Sequence, residues 1–98
     1  MYKAIILPLA KQDVREAALW YNKKSQGLDK RFTAEVREKV RLISQNPTAF
    51  NVRYDDVHTA ALNVFPYMVH YTIDEVNKTV IVSAVLHTSR DPELWENR

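Results

Sequence analysis

Val57-His58-Thr59-Ala60-Ala61-Leu62-Asn63-Val64-Phe65-Pro66-Tyr67-Met68-Val69-His70-Tyr71-Thr72-Ile73 is the stretch that decides the fold. Side chains that alternate with period two mark half-buried strands. If the chain reverses between Val64 and Tyr67, Ala60, Leu62 and Val64 share a face with Tyr67, Val69, Tyr71 and Ile73. The other face carries Thr59, Ala61, Asn63, Met68, His70 and Thr72. One side is therefore core. The other is small and polar, as on a sheet open to solvent or to a partner.

Downstream, Thr79 to His87 extends the hairpin into a three-strand meander. Burying Val80, Val82, Ala84 and Leu86 sets its register and leaves Ser83, Val85 and His87 beside Met68 and His70. Upstream the period changes. Val14, Ala17, Ala18 and Tyr21 fall at i, i+3, i+4 and i+7, which predicts a helix from Lys11 to about Lys23. Lys23 and Lys24 suit its C-terminal carbonyls, and Gly27 supplies a permissive backbone for a tight connection.

A second stripe, Leu28, Phe32, Val36, Val40 and Ile43, runs until Asn46-Pro47 ends the helix. Two helices so joined lie antiparallel. Tyr2 to Leu7 is a strand that Pro8 stops, and Asp91-Pro92 opens a short helix to Glu96. The expected class is α+β: an N-terminal strand, a helical hairpin packed on one face of an antiparallel β-meander, and a short C-terminal helix. Residues 1–98 form a single domain, since that length supports one core.

Composition closes several routes. The single glycine, Gly27, leaves no phosphate-cradling glycine loop. Without cysteine there is no disulfide, thiolate metal site or cysteine nucleophile. Ile5-Ile6-Leu7 is too short for a signal peptide, and no apolar run nears the roughly 20 residues of a membrane span. The expected location is the cytoplasm, with no membrane partner. A net charge of +2 is mildly basic, and its densest cations, Lys30-Arg31 to Arg41, alternate with Glu35 and Glu38 as on a solvated helix face.

His58, His70 and His87 show no metal-ligand spacing, so neither a metal nor a cofactor is expected. His87 with Arg90 is the pair whose spacing suits acid–base work beside a charge that holds a developing anion. The alternative is structural: His87 bonds a loop, and Arg90 pairs with Asp91 or Glu93. Ser83 has no adjacent base. Trp20 lies off its helix stripe next to Leu19, and together they widen the apolar surface. Trp95 suits a lock for the terminal segment. Arg53 and Tyr54, where the sheet starts, could touch phosphate, and Tyr67 could stack on a base, whereas Tyr71 falls on the core face.

In order and spacing the chain resembles the RelE/ParE superfamily of type II toxin–antitoxin toxins, often labelled plasmid stabilisation proteins. The matching text is Ala10-x-x-Asp13-x-x-Glu16-Ala17-x-x-Trp20-Tyr21, Gly27-Leu28-x-x-Arg31-Phe32-x-x-Glu35 and Ile43-x-x-Asn46-Pro47. It continues with Phe65-Pro66-Tyr67-x-Val69-x-Tyr71 and Val85-x-His87-x-x-Arg90-x-Pro92-x-x-Trp95. The resemblance implies a growth-inhibiting toxin neutralised by a cognate antitoxin that folds along it. Contacts are expected at Leu19 and Trp20, on the open sheet face at Asn63, Met68 and His70, and at Arg53 and Trp95.

The superfamily divides on mechanism, and fold does not choose between the branches. RelE-like members cut mRNA on the ribosome, and ParE-like members poison DNA gyrase. Relatives commonly carry basic residues before Phe-Pro-Tyr, but His58 to Val64 has no lysine or arginine. A neutral strand grips a polyanion poorly. The expectation is therefore a ParE-like toxin that inhibits gyrase by protein binding. A ribosome-dependent mRNA endoribonuclease using His87 and Arg90 is the alternative, and a non-toxic binding module is the third reading.

Overall fold

The computed structural model describes residues 1–89. The expected helix at Pro92 to Glu96, together with Arg90 and Trp95, lies outside the described residues. In chain order the elements are β1 (Lys3–Ile6), α1 (Pro8–Lys24), α2 (Leu28–Gln45), a 3-10 turn (Pro47–Ala49), β2 (Val52–Tyr54), β3 (Val57–Ala61), β4 (Tyr67–Asp74) and β5 (Thr79–His87). They build a five-stranded sheet in the order β1-β5-β4-β3-β2. The meander is antiparallel as expected. β1 adds in parallel to β5, with Lys3 opposite Thr79 and Ile6 opposite Val82, so the sheet is mixed.

Local chemistry accounts for the hairpin of helices. Pro8 does more than stop a strand. It is the first residue of α1, where a missing amide hydrogen costs nothing, so the helix starts earlier than the apolar stripe suggested. Lys23 and Lys24 fill the last turn of α1. Gly27 takes φ 94°, a left-handed conformation open to glycine at little cost, and turns the chain into α2. On α2, Arg41 pairs with Glu38 and holds that exposed carboxyl below its usual range, as on a solvated helix face.

The two helices cover one face of the sheet. Phe32, Val36, Val40 and Ile43 from α2, with Ala10 and Ala17 from α1, meet Ala60, Val69, Tyr71, Val80, Val82 and Val85. Tyr21, Phe32, Phe65 and Tyr67 pack edge-on or tilted at centroid separations of 4.7 to 6.1 Å. Such pairs contribute about 0.5–1.5 kcal/mol each beyond their buried area. The Tyr71 hydroxyl donates to the Pro47 carbonyl at 2.6 Å and ties the 3-10 turn to β4. Burial pushes that phenol up to about 12.

Two expectations about strand faces change. First, β4 and β5 slip register between His70 and Tyr71: Tyr71 faces Val82 while His70 faces Ala84, which leaves Ser83 as an extra residue. A bulge of one residue swaps the faces beyond it. Val80 and Val82 lie in the core as expected. Ala84 and Leu86 turn to the opposite side with Met68, and Val85 takes the core place. Second, Val64 is 67% exposed in the reversal, while Phe65 is buried in its stead.

The far face is consequently less open than its composition suggested. Met68, His70, Ala84 and Leu86 are buried there, with Tyr54 packed on the group. The Tyr54 hydroxyl lies 3.0 Å from His70 Nδ1. Asn63 and Ala61 on this side remain exposed, and Thr59 and Thr72 are half-buried.

Candidate partner-binding cleft

Past Ile6 the edge strand β1 gives way to α1, so the β5 backbone beyond Val82 has no strand beside it on that side. Asp13 fills the gap: its Oδ2 accepts the Val85 amide at 3.0 Å. This bond ties α1 to the end of β5, and a cleft of about 540 Å³ lies beside it. Asp13, Glu16, Ala17, Trp20 and Tyr21 line it from the helix, and Pro66, Tyr67, Val85, Leu86 and His87 from the strand ends.

The far wall is held just as deliberately. Glu35 on α2 accepts the Val64 amide at 3.1 Å and the Phe65 amide at 3.3 Å, and so bonds two amides at the tip of a reversal that the Leu62 amide closes on the Tyr67 carbonyl at 2.9 Å. Pro66 and Tyr67 are thereby placed opposite α1. His87, on the helix side after the bulge, meets Tyr67 edge-on at 5.2 Å. Its Nδ1 accepts the Ser89 amide at 3.1 Å, which puts a neutral ring's proton on Nε2. Tyr67 lies 6.1 Å from Tyr21, and Tyr21 lies 5.0 Å from Trp20. Burial, reinforced by Tyr67, raises the Tyr21 phenol above its ordinary range.

The structure thus brings together residues that the sequence left separate. Trp20, expected as a partner contact, and His87, the catalytic candidate of the nuclease alternative, share one cleft. Leu19 adjoins it and is 65% exposed. Asn63 sits in the reversal that Glu35 holds, and Arg53 stands exposed on β2, away from the cleft lining. Met68 and His70 are buried beneath Tyr54 and present no surface to a partner. Asp13 and Pro66 as lining residues, and Glu35 as the residue that holds the reversal, were missed. Asp13 and Glu35 did stand in the quoted motifs, which was the available signal.

The sequence profile of the family described as ParE toxin of type II toxin-antitoxin system, parDE, matches residues 4–92. The chain belongs to this family of toxins. A search of curated proteins gives no significant match for the toxin. Among solved structures, the toxin is similar to a chain of the chromosomal ParDE system from P. aeruginosa, with a TM-score of 0.79 at 15% identity over 91% of this chain and 98% of that one.

It is also similar to a chain of the RelBE2 toxin–antitoxin complex from Mycobacterium tuberculosis, with a TM-score of 0.64 at 21% identity over 88% of this chain and 96% of that one. A chain of the intact E. coli RelBE complex gives a TM-score of 0.64 at 17% identity, over 92% of this chain and 100% of that one. These likenesses establish the RelE/ParE fold. Among the described residues, no group of histidines and carboxylates could hold a metal ion, and no helix is long and apolar enough to cross a membrane.

Proposed function

We propose that this type II toxin acts by docking on a protein, DNA gyrase, and is neutralised by a cognate antitoxin chain. One observation carries the reading: the cleft joins an aromatic row to two carboxylates, and its described lining has no lysine or arginine. A site that grips RNA needs cations against the phosphates and a further positive charge for the transition state. A half-exposed tryptophan beside an exposed leucine is the kind of anchor that dominates protein interfaces. The structural relatives come from toxin–antitoxin complexes, which supports an antitoxin partner.

The test is gyrase supercoiling with micromolar toxin. Loss of supercoiling with trapped cleaved DNA is expected, and antitoxin should reverse it. Unaltered supercoiling would overturn the assignment.

The mRNA endoribonuclease stands second, because His87 is half-buried beside Tyr67 in a cleft of suitable size. Primer extension on translated message separates the two. Codon-phased cuts that disappear in His87→Ala would favour the nuclease. Normal growth on induction of the toxin would leave only the non-toxic binding module.

A further inference from the structure

The side of the helical hairpin turned away from the sheet concentrates positive charge. Lys30, Ala34, Arg37 and Arg41 recur at i, i+4, i+7 and i+11, so they share one side of α2. Lys11, Arg15 and Ala18 share one side of α1 by the same spacing. Ala18, Asp29, Lys30, Thr33, Ala34 and Arg37 line a groove between the helices, which brings the two sides together. Lys11, Arg15, Lys30, Arg37 and Arg41 are all exposed. The hairpin's carboxylates are mostly committed elsewhere. Asp13 accepts the Val85 amide, Glu16 accepts from Gln12, Glu35 accepts the Val64 and Phe65 amides, and Glu38 pairs with Arg41. Asp29 alone lines the groove. Among the described residues no carboxylate forms an ion pair with Lys11, Arg15, Lys30 or Arg37. Lys11 and Arg15 even stand at i, i+4, where like charges repel. Four cations around one groove against a single carboxylate leave a surplus of positive potential that attracts anions.

We infer that this groove and its two cationic rims bind the phosphate backbone of duplex DNA, whatever its sequence. The lining has no aromatic ring, and none of the large apolar residues exposed elsewhere among the described ones belongs to it. Protein interfaces depend on such anchors, and single strands depend on faces for stacking bases. Lysine and arginine flanking two alanines suit paired strands held through their phosphates alone. The choice of DNA over RNA rests on reading the toxin as a gyrase poison, since gyrase holds duplex DNA. Asp13, Glu16, Ala17 and Trp20 turn another side of α1 to the cleft, so a protein and a duplex occupy different faces of the toxin.

The test is fluorescence anisotropy of a labelled, mixed-sequence DNA duplex titrated with the full chain at salt from about 50 to about 200 mM. Binding should weaken with a log–log slope of about −3.6, since four neutralised phosphates contribute about −0.9 each. Lys30→Gln combined with Arg37→Gln, both at exposed positions where folding is safe, should bring the slope to about −1.8. The same variant should bind at least about tenfold more weakly at the lowest salt. Lys3→Gln combined with Lys23→Gln removes equal charge at exposed positions outside the groove and should leave the parent's slope. No binding at the lowest salt would overturn the proposal. So would a groove variant with the parent's slope, or a control variant that lowers the slope as much. A glutamate-rich peptide that binds more tightly than the duplex would overturn nucleic acid as the ligand, and tighter binding of an RNA duplex would overturn DNA. Gyrase is absent from the titration, so failure of the gyrase assignment and failure of the DNA-binding face are told apart.

Discussion

Asp13 on α1 accepts the backbone amide of Val85 on β5 through Oδ2 at 3.0 Å. A carboxylate on a helix takes the place of the strand that β1 would have had to supply, and the cleft begins where that substitution is made. Val85 is 2% exposed, so the amide has little recourse to water if the carboxylate is removed. The Asp13 position is therefore structural first, and any effect it has on partner binding runs through the placement of α1.

Asp13→Ala should destabilise the toxin by about 1–3 kcal/mol, the cost of a buried donor left unmade. Asp13→Asn keeps a side-chain oxygen and should lose less. Urea unfolding of the two variants beside the parent checks the order, and an alanine variant as stable as the asparagine variant would refute it.

Glu35→Ala should release the Val64 and Phe65 amides together, with a loss of about 1–3 kcal/mol. Hydrogen exchange at those two amides should quicken more than at Val69 in the middle of β4. Glu35→Gln, which retains an acceptor, should sit between parent and alanine. Uniform quickening across the sheet would mean that Glu35 acts on global stability and not on the reversal.

Stability at high pH should depend on Tyr71. Its folded pKa is pushed up to about 12 by burial, above the ordinary tyrosine value of 10.0, so the native state prefers the neutral phenol. That preference is fully present below the unfolded value and is lost as pH rises through the folded one. Tyr71→Phe should cost about 1 kcal/mol at pH 7, where the bond to Pro47 is lost. Its stability should then fall less steeply than the parent's between pH 10 and 12. Parallel curves from denaturant melts across that range would contradict the assignment.

Trp20→Ala and Met68→Ala should separate surface from core. Trp20 is 53% exposed and Met68 is 5% exposed. Met68→Ala should cost about 2–5 kcal/mol of stability, and Trp20→Ala well under half of that. Binding to the antitoxin or target should respond the other way, with Trp20→Ala weakening it at least about tenfold, as expected for an interface tryptophan. Calorimetric unfolding and a binding titration on the same two variants decide the matter. A Trp20→Ala protein that binds normally would remove the cleft from the interface.

Much of this was legible beforehand because its causes are local. The stripe Leu28, Phe32, Val36, Val40 and Ile43 announces α2, and Asn46-Pro47 announces its end. Strands β4 and β5 were placed within one residue by their alternation. The cleft was legible only in fragments. Trp20 was marked as exposed and His87 as chemically interesting, yet nothing in either neighbourhood said that they share a wall. Strand β2 was not anticipated: three residues pairing across a bulge leave too short a period to read.

By itself the sequence determined the helical hairpin, the meander and the family, because helix period, proline geometry and motif spacing are properties of neighbouring residues. Only the tertiary structure decided which side of β5 is core beyond Ser83. Val80 to Leu86 offers aliphatic residues to both faces, so burial energy scarcely distinguishes one register from the next. A single bulged residue then sends Leu86 to the far side with Met68 and brings His87 to Tyr67. The parallel pairing of β1 with β5, and with it the gap that Asp13 closes, was likewise settled by which edge of the sheet the returning chain left unpaired.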